Sequence, residues 1–178
     1  MRLRLVALVA IGLAALLADL HPNAQSPRVG DPGCAFAQGV VMQRNVSLGM
    51  ARTIADATLA ACKAKGYNTS VAVVDRAGQV LVIMRSEQAT AQTAEMARRK
   101  AYTARMFRIP TAEFQKRTEE DSAREAQRDL ADILALSGGV PIQVGTDTIG
   151  AIGSAGSTLE TDDACAKAGI AAVADLLK

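Results

Sequence analysis

SVAVVDRAGQVLVIMR, residues 70–85, reads as two β-branched runs folded about an Asp75-Arg76-Ala77-Gly78 turn. Residues 69–74 and 79–84 are the two strands of this hairpin. Their near-continuous apolar runs, VAVV and VLVIM, predict a sheet covered on both faces. Arg85 closes the second strand, where its guanidinium can pair with an acid or reach an anion. A second glycine-punctuated pair follows in SGGVPIQVGTDTIGAIGSAG, residues 137–156. Ser137-Gly138-Gly139 predicts a tight backbone approach, and Pro141 places the strand at 140–144 on a sheet edge. Gly150 and Gly153 imply that other atoms come close to the returning strand. The Gly150-x-x-Gly153-x-x-Gly156 spacing resembles a dinucleotide fingerprint, but it does not follow a first parallel strand as that motif must.

Helices separate and flank the hairpins. Ser47 caps a helix through Lys65 that Gly66 ends, with Met50, Ile54, Ala57, Thr58, Ala61 and Lys65 recurring at helical spacing. Between the hairpins, residues 90–107 carry Ala94, Ala97, Ala101 and Ala104 on one face. Lys100, Thr103 and Met96 lie beside that stripe rather than opposite it. Pro110-Thr111 stops this helix and opens the next. Residues 112–130 are charged and read as one or two surface helices or a lid, with Glu119, Glu120, Asp121 and Glu125 on a solvated face. The last helix is expected from Thr161 to Lys178, with Asp162 and Asp163 as capping acids and Cys165, Ala168, Gly169, Ala172 and Leu176 inward. The fold class is α+β.

The 178-residue chain opens with Arg2 and Arg4, an unbroken apolar run from Leu5 to Ala18, and a polar exit. This is the pattern of a secretory signal over 1–24, and the run falls short of the ~20 residues of a spanning helix. Residues 25–46, rich in Pro, Gly and Gln, are an arm, and 47–178 are the domain. The mature protein is expected in a bacterial periplasm or secreted. Taking Arg2, Arg4 and Asp19 from 20 basic and 18 acidic residues leaves 18 and 17, a net charge near +1. That balance predicts neither nucleic acid nor, once the leader is gone, a membrane as partner. The leader also holds His21, the one histidine, so Ser-His-Asp and Cys-His catalysis and histidine-bound metal are excluded from the mature chain. Cys62 and Cys165 fall in alanine-rich helical patterns and read as buried thiols. Cys34, in the arm, is free to pair with either or to link subunits.

AVVDRAG (72–78) with Arg85 and Ala89, RKAYTA (99–104), Pro110-Thr111, GGVPI (138–142), IGAIGSAG (149–156) and DDACAKAG (162–169) together resemble the GlcG/HbpS-like family. It is the haem-binding or haem-degrading domain family, related to the C-terminal domain of the propanediol-utilisation corrinoid adenosyltransferase. The resemblance implies a profilin-like fold: a five-stranded antiparallel sheet with helices on both faces, in homo-oligomers. The fifth strand would come from residues 130–136. Carried onto this sequence, the family's Lys-Ala-x-Thr-Ala falls on Lys100, Ala101, Thr103 and Ala104, and its strand-end arginine on Arg85. The implied function is an exported protein binding a small ligand, haem or another tetrapyrrole, with Arg85 and Lys100 meeting carboxylates and Tyr102 or Thr103 near the metal. No histidine of the mature chain is there to ligate such a haem; Tyr102, Thr103, Met96, Met106 or a cysteine would have to serve. With no Trp and five Phe and Tyr residues, an aromatic clamp is hard to build. Two other functions fit the same residues. One is an enzyme on a small carboxylate, with Lys100 as base or Schiff-base amine and Arg85 as clamp. The other is a ligand-free structural or accessory oligomer.

Overall fold

A computed structural model describes residues 39–178, and the compact unit begins at Gln43. The leader, most of the arm, His21 and Cys34 lie outside the described residues. In chain order the elements are α1 (Leu48–Ala64), β1 (Ser70–Val74), β2 (Val80–Arg85), α2 (Gln92–Phe107), α3 (Thr111–Glu120), α4 (Ser122–Glu125), β3 (Gly139–Val144), β4 (Asp147–Ala155) and α5 (Leu159–Ala171). The described residues form one antiparallel sheet of four strands in the order β2-β1-β4-β3. Pro141 is on an edge strand, as its missing N–H requires.

Strand alternation sorts the core into two layers. Val71 and Val73 of β1 and Ile152 of β4 join Ala51 and Ile54 of α1 and Ala166 of α5 on one face. Ala72, Val74, Ala151 and Ala155 face Ala97, Ala101 and Ala104 of α2 on the other. The small residues on both sides bring α2 close to β4. A Cβ at Gly153 would overlap the Ala97 carbonyl and the Ala101 amide, which is the close approach the sequence implies.

The sequence expectation fails at several elements. There is no fifth strand at 130–136, because that segment's polar groups are taken by α2 side chains rather than by a neighbouring strand. Leu134 N–H donates to Thr103 Oγ1 at 2.9 Å, Arg99 donates to the Ile133 carbonyl, and Arg98 pairs with Asp132 at 2.6 Å. Strand β2 is not covered on both faces. As the other edge strand it leaves Val80 43% and Ile83 46% exposed. The last helix starts earlier, capped by Thr158, and stops at Ala171; Ala168 on its outer face and Ala172 and Leu176 beyond its end are exposed.

The cysteines differ too. Cys62 and Cys165 are joined in a disulfide between α1 and α5, with 5.5 Å between Cα atoms. The two helices lie side by side, so closely that a Cβ at Gly169 would overlap Thr58 Oγ1. That contact sets the two thiols opposite each other. A separation of 103 residues carries no local trace of it.

Closing so long a loop removes chain entropy from the unfolded state worth about 4–5 kcal/mol in the loop-closure model. Cys62→Ala with Cys165→Ala is expected to lose about 2–5 kcal/mol by urea denaturation. A loss below about 1 kcal/mol would mean that the bridge is not formed in solution.

Candidate functional site

Lys100 is fully buried. Its Nζ donates to Asp162 Oδ2 at 2.8 Å and to the Ser154 carbonyl at 3.0 Å. Lys100 is on α2 and Asp162 on α5, on opposite faces of the sheet, so the pair joins the two layers around the end of β4. Gly138 makes room for it: at φ +120 it takes a backbone conformation that L residues rarely adopt, and a Cβ there would lie 2.9 Å from Lys100 Nζ. Asp162 is therefore not the capping residue expected of it, since Thr158 caps α5. Its other oxygen accepts from Ser157 N at 3.2 Å and Ser157 Oγ at 2.7 Å.

Burial holds the Lys100 ammonium below its ordinary pKa of 10.5, and Asp162 pushes it part of the way back. A folded-state value below the unfolded one means that the unfolded chain binds more protons in the window between them. The lysine's contribution to stability therefore rises as pH climbs through that window toward 10.5.

The other three sequence candidates have separate occupations. Thr103 is buried, donates to the Arg99 carbonyl at 2.8 Å and accepts from Leu134 N–H. Tyr102, half-buried, packs with Met106 over Gly78 at the β1–β2 turn. Arg85, exposed, sits at the opposite end of that hairpin, across from Ser70, and donates to the Ala89 carbonyl. None of these four residues lines the cavity between α2 and α3.

That cavity lies where α2 gives way to α3. It is about 260 Å³, lined by Phe107, Ile109, Phe114, Arg117, Arg124 and Gln127. Arg108 leaves α2 in the left-handed region (φ 59), and Pro110 opens α3, so the chain doubles back. Buried Thr111 fixes this turn to β3 by accepting from Gly139 N–H at 2.8 Å. The turn stacks Phe107 on Phe114, with ring centroids 4.2 Å apart and planes at 34°. Phe114 is 1% exposed and belongs to the core, so of the pair it is half-buried Phe107 that faces outward, with Phe114 packed behind it. Arg128 binds Thr118 Oγ1 at 2.7 Å and so holds the chain after α4 over α3.

Arg117 and Arg124 are about half exposed and pair only with acids of their own helical segments, Glu113 and Asp121. Such exposed pairs hold a guanidinium by ~1 kcal/mol or less, so a ligand carboxylate can replace them. An apolar floor with two exchangeable guanidiniums suits a planar, anionic aromatic molecule. The sequence signal is the Phe107/Phe114 pair straddling a Pro110 stop, with an arginine one turn beyond, inside a stretch whose charge otherwise marks a surface helix.

Asp162→Asn, which leaves the buried ammonium without its counter-charge, is expected to cost about 3–5 kcal/mol. Measured by urea titration, the wild type should also gain on Lys100→Met as pH rises from neutral toward 10.5. A difference independent of pH would show that Lys100 is not held below its ordinary range.

A family model described as haem degrading protein HbpS-like matches residues 46–171. Among solved structures, HbpS is 34% identical over 74% of this chain and 92% of that one, with a TM-score of 0.71. A double mutant of the Streptomyces reticuli HbpS is 32% identical over 82% and 95%, also at 0.71. A PduOC–haem complex, at 22% identity over 71% and 94% and a TM-score of 0.66, shares the fold. No curated protein sequence matches the chain. With the family model covering most of the domain, and HbpS above 30% identity, this chain belongs to the HbpS-like haem degrading protein family.

Proposed function

We propose that the protein is an exported tetrapyrrole-binding protein whose ligand lies against Phe107 and Ile109 with its carboxylates on Arg117 and Arg124. The observation that carries this reading is half-buried Phe107, backed by buried Phe114, beside two exposed guanidiniums in a chain of a haem-related family. Export is supported by the charged and apolar N-terminus and by the Cys62–Cys165 bridge, since structural disulfides persist in oxidising compartments.

The cavity residues fit part of a haem. Half-buried Phe107 and Ile109 offer an apolar surface to the ring, buried Phe114 backs Phe107 from the core, and the two arginines offer partners to the carboxylates. None of the six lining residues is an ordinary iron ligand. At about 260 Å³ the cavity is also below the ~300–1,000 Å³ of sites that enclose drug-sized ligands. It therefore receives one edge of a tetrapyrrole and leaves the rest outside. The residues' task is binding and orientation, through ring stacking and charge-assisted hydrogen bonds. The exposed apolar edge at Val80 and Ile83 supports association of copies of the chain, as the family resemblance implies. No observation favours Lys100 as a catalytic amine, because it has no exposed surface to meet a substrate.

Titration with haemin is expected to shift the Soret band and saturate at one ligand per chain. Arg117→Ala with Arg124→Ala should weaken binding about tenfold or more. No Soret change at stoichiometric haemin would overturn the proposal. The mass of the purified exported protein tests the export reading separately: it should lack the first 18 to 24 residues, and a protein retaining Met1 to Ala18 would contradict export by a cleaved leader.

A further inference from the structure

We infer that the end of the sheet at the β1–β2 turn carries a second binding site, for a small phosphate-type oxyanion, built from the guanidiniums of Arg76, Arg105 and Arg108. The site shares no residue with the six that line the cavity between α2 and α3, and it stands or falls apart from the tetrapyrrole reading.

The fold brings these arginines together from separate places in the chain. Arg76 lies in the Asp75–Gly78 turn, Arg105 in the last turn of α2, and Arg108 is the left-handed C-cap of that helix. The last turn of α2 lies directly on the hairpin turn: a Cβ at Gly78 would be 2.6 Å from Met106 Cε and 3.0 Å from the Tyr102 ring. Of the three arginines, Arg76 alone has an acidic partner among the described residues. Its Nη1 donates to Asp147 Oδ1 at 2.7 Å and to the Arg44 carbonyl at 3.3 Å. Asp75, the other acid here, uses its Oδ1 within the turn, accepting from Ala77 N–H at 2.8 Å and Gln79 N–H at 2.9 Å.

Arg105 is the residue that this arrangement leaves unsatisfied. Among the described residues no acid pairs with it, and its Nε is buried without an acceptor. A donor shut off from water without a partner costs its desolvation in full. Burial and the like charges of Arg76 and Arg108 hold the guanidinium below its ordinary pKa, against the opposing pull of Asp147 and Asp75. The dipole of α2 favours cations at this end of the helix, which accounts for their sign but leaves the Nε unpaired. An oxyanion answers both needs. It places negative charge among three guanidiniums, and its oxygens take the Nε and Nη hydrogens of an arginine fork in parallel. Arg105 is half-buried, so a small turn of its side chain presents that fork to solvent. A tetrahedral oxyanion has enough oxygens to meet three guanidiniums at once, which a single carboxylate does not.

The test follows the arginine Nε–Hε and backbone amide NMR signals of the labelled chain as inorganic phosphate is added at fixed ionic strength. The Arg105 signal and the amides of Asp75 to Gly78 are expected to move saturably, half-complete at about 1 mM or below. Arg105→Met should weaken binding about fivefold or more, and Arg105→Lys should not restore it, since an ammonium keeps the charge but lacks the fork. Arg52→Met removes the same charge from an exposed position of α1, on the other face of the sheet, and should change nothing. Sedimentation with vesicles of phosphatidylglycerol and phosphatidylcholine separates a lipid headgroup from the free ion, and the protein is expected to stay in solution. Shifts that do not saturate, wild-type binding in Arg105→Met or Arg105→Lys, or vesicle binding through Arg105 without a response to free phosphate would each overturn the inference.

Discussion

The buried ion pair between Lys100 and Asp162 is the contact on which the arrangement of layers depends. It is the one charged link, among the described residues, from the α2 face of the sheet to the α5 face, and both side chains are 2% exposed or less. Such a pair contributes little net stability over an apolar substitute, because desolvation offsets its attraction. Its effect is to specify position. An ammonium in the interior must meet its carboxylate, so α2 and α5 can take only the register that lets Lys100 pass the end of β4. The Ser154 carbonyl, Ser157 and the positive-φ Gly138 complete the surroundings of the pair. The disulfide then holds α1 to α5, and the three helices are fixed to one sheet.

That same contact removes Lys100 from reach of a ligand, although a lysine of lowered pKa is the residue that chemistry first suggests. A lysine with a lowered pKa is a common functional signal, yet structural ion pairs produce it as well. Here the amine is sealed, and its hydrogen bonds go to the protein's own groups. What stays accessible is made further along α2, where the helix ends and the chain turns back. Thr111 fixes that turn to β3, so the Phe107–Phe114 stack stands on the rigid part of the fold. The charged α3 and α4 supply the arginines at its rim.

The two hairpins, the alanine face of α2, the Ser47 cap and the close approach at Gly153 were legible because each follows from a local rule of spacing or conformation. What was not legible depends on partners far apart in sequence. Cys62 and Cys165 look like buried thiols until α1 and α5 lie side by side. Asp162 looks like a cap until Lys100 arrives from the other face. Residues 130–136 have the apolar character of a strand, and only the side chains of Arg98, Arg99 and Thr103 reveal that α2 claims them. The candidate site suffered most, since its two rings are separated by a helix stop and its arginines belong to a stretch that reads as solvated surface.

Where the ligand sits is the claim to test first, and an amide NMR titration of the labelled chain with protoporphyrin IX tests it most directly. The expected result is a set of shifts centred on Phe107, Ile109, Phe114, Arg117, Arg124 and Gln127, with Lys100 and Asp162 little changed. Shifts centred on Arg85, Lys100 and Thr103, with the α2–α3 turn silent, would contradict it.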